Sequence, residues 1–384
     1  DSRYEPWRAI EDRSHNLWIA TLAGGVFRLD LKPQYVTHYR HNPYSANSLN
    51  SDNIQILHES RNGDIWIVTA SRGICRFDPV TETFERFAHD PQDPNSLGDN
   101  TIYALLEDHN GTMWFGTYAG GLNRFNPETR DFTRYSADPG DPNSLASQHI
   151  WSLAEDNEGN IWVGTAYNAL NRFDPHREHL TTFYLHKLLG LKNKKIAWRV
   201  WQIFRDRDGI FWVRAYKDDL YRFNPATYEV LRIQRPPESP YPFASVRLQS
   251  RDGRLWGGVV GLFDLTPGDH RFKVHFLEPE NGIPLDYKNL TDIYEDEHGM
   301  LWCASGVGLY KFNPEERKAV AHYTRADGLP SNVVEKILPG RAGELWVGTR
   351  SGISIFREEA PPGQRFRNLG PEQGLVNAMT SNRT

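Results

Sequence analysis

The chain has 384 residues, 12 of them tryptophan, and its charged fraction of 24% is that of a folded protein rather than a disordered one. A formal net charge of −5 leaves no global basic field to draw in a phosphate backbone, so nucleic acid is excluded as a partner at this stage. Cys75 and Cys303, the two cysteines, exclude a disulfide scaffold and a Cys/His zinc site and are expected as buried free thiols; no apolar run approaches the ~20 residues of a membrane span.

From the N-terminus, tryptophans at 18, 66, 114, 162, 212, 256, 302 and 346 recur at intervals of 48, 48, 48, 50, 44, 46 and 44 residues. Each sits in the same setting. The third copy shows it in order as "TIYALLED", "HNGT", "MWFGT", "GLNRFNP" and "DFTRYS". The four apolar or aromatic stretches read as strands, separated by Gly, Asn, Asp and Pro. Asn110-Gly111 fits a tight hairpin, and Pro127 ends the third strand because it cannot donate to a ladder.

The eight units run roughly over 6–41, 53–89, 100–137, 148–186, 197–235, 244–278, 289–324 and 332–370. Linkers "NPYSANSLNSDN", "DPQDPNSLGDN" and "DPGDPNSLASQ" follow units one to three, and a longer basic one, "HKLLGLKNKKIAW", separates four from five. A four-stranded unit of ~45 residues cannot cover both of its faces alone, whereas radial repetition covers each face with a neighbour. The fold class is therefore all-β, a β-propeller of four-stranded antiparallel blades. It is eight-bladed, or seven-bladed with one blade of a neighbouring ring, and 1–384 forms one propeller domain. Units six and eight depart most from the pattern, and the tail "GLVNAMTSNRT" looks like the start of a further unit, so closure is the open point.

On such a ring the first strands line the axis. Counting back from the end of each gives Trp7, Gln55, Tyr103, Trp151, Trp201, Ser245, Thr291 and Val334, an aromatic-rich mouth suited to stacking on sugar rings, with packing between blades as the competing role. Loops after the second strands vary and place Arg72, Tyr118, Tyr167, Tyr216, Lys217, Asp218 and Arg350 on the same face. Lys192, Lys194, Lys195 and Arg199 in the basic linker suit an acidic ligand such as a uronate or sulfated sugar, or only solvent. The ligand-binding set is thus Trp7, Arg72, Tyr103, Tyr118, Trp151, Tyr167, Trp198, Trp201, Lys217 and Arg350. Third-strand Arg28, Arg76, Arg124, Arg172, Arg222 and Lys311 lie too far from the axis to share a ligand and are expected to pair with acids. The acidic pairs closing first strands, such as Glu107-Asp108, are expected to cap the next turn. They repeat at structural turns rather than facing one sugar bond, so a glycosidase or lyase is the weaker alternative to a binding module, beside a peptide-binding platform. No catalytic residue, metal site or cofactor is expected, and "DPxDPNSL" lacks the alternating ligands of a calcium loop.

"AEDNEGNIWVGT" with "LNRFDP", and "LEDHNGTMWFGTYAGGLNRFNP", resemble the two-component regulator propeller repeat, whose consensus is close to "eDxxGxlWiGTxxGGLxrfdp". The resemblance covers essentially the whole chain. It implies the periplasmic sensor domain of a receptor that binds an oligosaccharide and is fused through a membrane helix to a histidine kinase or diguanylate cyclase module. A homodimer is among the implied partners. The output module would lie outside these eight units.

Overall fold

A computed structural model of the chain describes residues 6–14, 16–30, 35–166, 169–190, 199–215, 219–234, 245–258, 262–268, 272–275, 290–341 and 343–369. Among these residues the strands form eight sheets of four, each antiparallel and in simple order from first to fourth. The sheets cover 6–39, 54–87, 102–135, 150–184, 202–232, 246–275, 292–323 and 334–368. They are the blades of an eight-bladed β-propeller.

Ring closure is visible in the core. The apolar residues fall into eight clusters, and each joins one blade to the next. The last joins Trp346, Ile353 and Ile355 of blade eight to Leu17, Ile19 and Phe27 of blade one. The ring therefore closes within the chain by face-to-face packing, and neither terminal blade borrows a strand from the other. The tail that suggested a further unit lies outside the described residues. Second strands such as Met113–Thr117 and Ile161–Thr165 are buried at every position, as expected for strands covered on both faces.

The repeat "ED…W" has a physical reason that divides the two acids. Asp108 Oδ1 accepts from the backbone N–H of Asn110 and of Thr112, both at 2.9 Å, which fixes the hairpin. Its Oδ2 accepts from the indole Nε1 of Trp114 at 2.9 Å. The same six-residue reach joins Asp12 to Trp18, Asp156 to Trp162, Asp206 to Trp212 and Asp296 to Trp302. In blade six, Ser250 replaces the acid and still accepts from Trp256. The preceding Glu does something else, contrary to the turn-capping expectation: it reaches back to the previous blade. Glu59, Glu107 and Glu155 accept the backbone N–H of Arg13, Arg61 and His109. One acid positions the tryptophan, and the other clasps the blades together.

The third-strand cations also bridge blades, as expected: Arg28 to Glu82 at 2.9 Å, Arg124 to Glu178 at 3.2 Å and Lys311 to Glu358 at 2.6 Å. Arg28 lies 5.8 Å from the centroid of Trp18, roofing the buried indole. In the linkers a fourth-strand arginine gathers the loop carbonyls, Arg86 those of Ser45, Ser48 and Leu49, and Arg134 those of Asp93 and Ser96.

The Gly of "W-x-G-T" serves close approach. A Cβ on Gly116 would lie 2.4 Å from Ile150 Cγ2 of the next blade, and one on Gly164 would lie 2.7 Å from Val200 Cγ1. At the closing seam the constraint lapses, since the nearest atom to the corresponding Cβ on Gly348 is 3.7 Å away, within its own blade.

Two outcomes follow. Asp108→Ala strands the Trp114 indole and frees two hairpin N–H groups, and should lower stability by ~2–4 kcal/mol, read as a lower urea midpoint at unchanged slope. Cys75 and Cys303 are free and buried, and burial pushes the Cys75 thiol up to about 11 and that of Cys303 further still. The native protein should leave both thiols unlabelled by a disulfide reagent at pH 8, and both should react on unfolding.

Candidate functional site

The mouth of the ring is made by backbone irregularity. In blades one, two, three, four, six and eight the first strand slips by one residue against the second. The extra residues are Trp7, Gln55, Tyr103, Trp151, Arg247 and Glu335. A bulge of this kind re-aims a side chain out of the alternating pleat. Blade five has Trp201 at the matching point, its N–H donating to the Arg214 carbonyl at 3.0 Å just ahead of the strand Gln202–Arg205. Counting along the sequence pointed to Ser245 and Val334 in blades six and eight. The structure corrects both: they are buried at 5% and 0% exposure, and the displaced residues are Arg247 and Glu335. The count failed in blade six because its bulge lies two residues nearer the strand end Gln249, and in blade eight because the strand runs one residue further, to Pro339.

Three of the expected rings form a continuous arc. Tyr103 stacks on Trp151 with centroids 4.6 Å apart and planes 12° from parallel, and Trp151 meets Trp201 at 4.7 Å and 58°. Tyr118, on the loop after the second strand of blade three, stands edge-on to Tyr103 at 5.9 Å and to His149 at 4.7 Å. That loop is tied to the linkers on the same face, with Tyr118 N–H donating to Thr101 O and Gly121 N–H to Gln148 O. Tyr103, Tyr118 and Trp201 keep 39%, 44% and 38% of their surface exposed, unlike the second-strand tryptophans. The Arg199 guanidinium lies 5.3 Å from the Trp151 centroid and 5.2 Å from that of Trp201, holding both indoles. Nε1 of Trp151 and Oε1 of Gln55 are buried and have no hydrogen-bond partner among the described residues.

Below the rim lies a cavity of 440 Å³ bounded by the first strands of blades one to five and eight. Tyr103, Trp151 and Trp201 line it, together with Arg8 and Lys336. Lys336 Nζ is 2.9 Å from Asp292, whose carboxylate also accepts from the Ile337 N–H at 3.0 Å. First strands are laced to one another by side chains reaching the next bulged carbonyl: Ser152 to Val200 O, Gln202 to Val246 O and Thr291 to Val334 O.

The other expected residues stand apart from this arc. Arg72 is exposed on the loop of blade two, and its carbonyl accepts from Asn50. Arg350 lies 3.5 Å from Glu335. Tyr167, Trp198 and Lys217, with Tyr216, Asp218, Lys192, Lys194 and Lys195, lie outside the described residues, as does the side chain of Trp7. Sequence reasoning missed Arg8, Arg247, Asp292 and Lys336. Arg8, Asp292 and Lys336 share one position, the residue after the one displaced at the axis; it is one past the counted residue in blades one and seven and two past it in blade eight. Among the described residues no group of three or more His, Cys, Asp or Glu is placed to hold a metal, and no helix is long and apolar enough to cross a membrane.

Fold and mouth together define a class, a closed eight-bladed propeller with an aromatic-rimmed axial cavity. Residues 96–119 and 144–167 match the family model described as two component regulator propeller. Among solved structures, the chain is similar to the extracellular domain of a putative hybrid two component system from B. thetaiotaomicron. The TM-score is 0.59 at 20% identity, over 94% of this chain and 52% of that one. It is also similar to PorZ, a surface component of the type-IX secretion system of Porphyromonas gingivalis, with a TM-score of 0.55 at 16% identity over 89% of this chain and 56% of that one. At these identities the likeness is one of fold, and the chain spans about half the length of either structure. No curated protein matches it.

The eight second-strand tryptophans are at most 6% exposed, so Trp151 and Trp201 should carry a large share of the quenchable emission. Replacing both by Phe should flatten the acrylamide Stern–Volmer slope, and each single change should alter stability by no more than ~1–1.5 kcal/mol.

Proposed function

We propose that this chain is the ligand-sensing propeller of an extracytoplasmic receptor, that it binds a carbohydrate at the mouth of its axis, and that it passes occupancy to a signalling module of the same receptor. The observation that carries the reading is the arc of Tyr103, Trp151 and Trp201, adjoining rings left partly open to solvent at the entrance of a cavity. Flat apolar ring faces are what pyranose C–H faces stack on, and the orphaned Trp151 donor and Gln55 acceptor fit a ligand bearing hydroxyls. The repeat family and the extracellular two-component domain among the similar structures support a receptor role. Binding rather than catalysis is favoured because the repeated acids are committed, the Asp to a tryptophan and the Glu to a neighbouring blade.

A panel of oligosaccharides read by thermal shift tests this. A ligand at a hundred times its Kd adds about 2.7 kcal/mol, a rise of roughly 3 °C for a chain of this size. Trp151→Ala and Trp201→Ala should abolish the shift while leaving the unliganded melting temperature within a few degrees. Turnover of a sugar in the panel would replace the sensor by an enzyme, and a panel without any shift would favour a peptide-binding face.

A further inference from the structure

The two sides of the axial cavity differ in chemistry. Blades three to five contribute the rings, whereas blades one and eight contribute Arg8 and Lys336 to the same cavity wall. Arg247, displaced by the bulge of blade six, is a third cation, exposed on its first strand and outside that cavity wall. Asp292 links these cations. Asp292 is engaged by Lys336 at 2.9 Å and by the Ile337 N–H at 3.0 Å, and it is also the acid that acts on both Arg8 and Arg247. Both side chains reach solvent, yet desolvation by the protein packed around them lowers both guanidinium pKa values; Asp292 opposes the shift in each, while Arg8 and Arg214 deepen that of Arg247. Glu335, displaced by the bulge of blade eight, lies 3.5 Å from Arg350. On the aromatic side, Arg199 adds positive charge over the indoles. A protein of net charge −5 thus concentrates cations around its axis, where low-dielectric walls focus their field.

We propose that the axial cavity is a site for a small organic carboxylate with a ring-shaped body, its carboxylate held between Arg8 and Lys336 in the field of Arg247 and its ring face against Trp151 and Trp201. The proposal deepens the ligand-binding reading above and rests on it for the place of binding, but not for the ligand being a sugar. A carboxylate accepts charge-assisted hydrogen bonds from guanidinium and ammonium groups together. A neutral ring of the same shape would gain only the stacking.

Calorimetric titration of the whole chain with glucuronate, glucose, benzoate and benzyl alcohol separates the contributions. Glucuronate or benzoate should bind at least tenfold more tightly than its neutral counterpart, and the preference should shrink between 50 and 500 mM NaCl. Arg8→Gln and Arg247→Gln, each checked for an unchanged circular dichroism spectrum, should each weaken carboxylate binding several-fold and leave neutral ligands unaffected. Arg8→Lys should restore part of the loss. Benzoate binding without glucuronate binding would uphold the carboxylate site and remove the carbohydrate reading. Equal affinity for glucose and glucuronate would do the reverse. Carboxylate binding untouched by both Gln variants, or no binding by any of the four probes at millimolar concentration, would overturn the proposal.

Discussion

The hydrogen bond from a buried indole to an acid six residues earlier is the interaction on which the rest of this propeller depends. It ties the turn between first and second strands to the large side chain that fills the seam with the next blade. Trp114 also lies edge-on to Phe173 of blade four, at 5.4 Å, so the side chain oriented by the turn of one blade completes the core of another. An indole buried without a partner would forfeit a hydrogen bond worth about 1–3 kcal/mol, and Asp, or Ser in blade six, removes that penalty. Local turn chemistry and packing between blades are thereby one device, present among the described residues in six of the eight blades.

The binding face exploits the freedom that this device leaves. Because seams are secured by second and third strands, first strands need only lace to one another at the axis, and most of them tolerate a bulge there. Each bulge presents a residue that the core does not need. Evolution of specificity in such a ring is a matter of changing those residues and the one that follows each of them. Here the first set is mainly aromatic on one side, and the second places Arg8, Asp292 and Lys336 on the other.

Several features were legible in the residues. The tryptophan period and the Gly-bearing turns give the number of four-stranded units and their strand order, because a motif that recurs at a fixed interval forces equivalent environments. Tyr103, Trp151 and Trp201 could be placed on the axis by counting within the regular blades. The count broke down in blades six and eight, where a slip of one or two residues changes which side chain faces the channel. Glu107 looked like a turn residue beside Asp108, yet its partner is the Arg61 N–H, forty-six positions earlier.

Sequence alone determined the all-β class, the eightfold repetition and the burial of its indoles, since periodic apolar strands bounded by turns have few ways to hide both faces. Tertiary structure decided closure and the polarity of the axis. Closure depends on whether Trp346 and Ile355 meet Leu17 and Phe27, residues separated by almost the whole chain. The axial field arises from Arg8, Arg247, Asp292 and Lys336, contributed by four different blades. Contacts of such range follow from the geometry of the ring, which no local window contains.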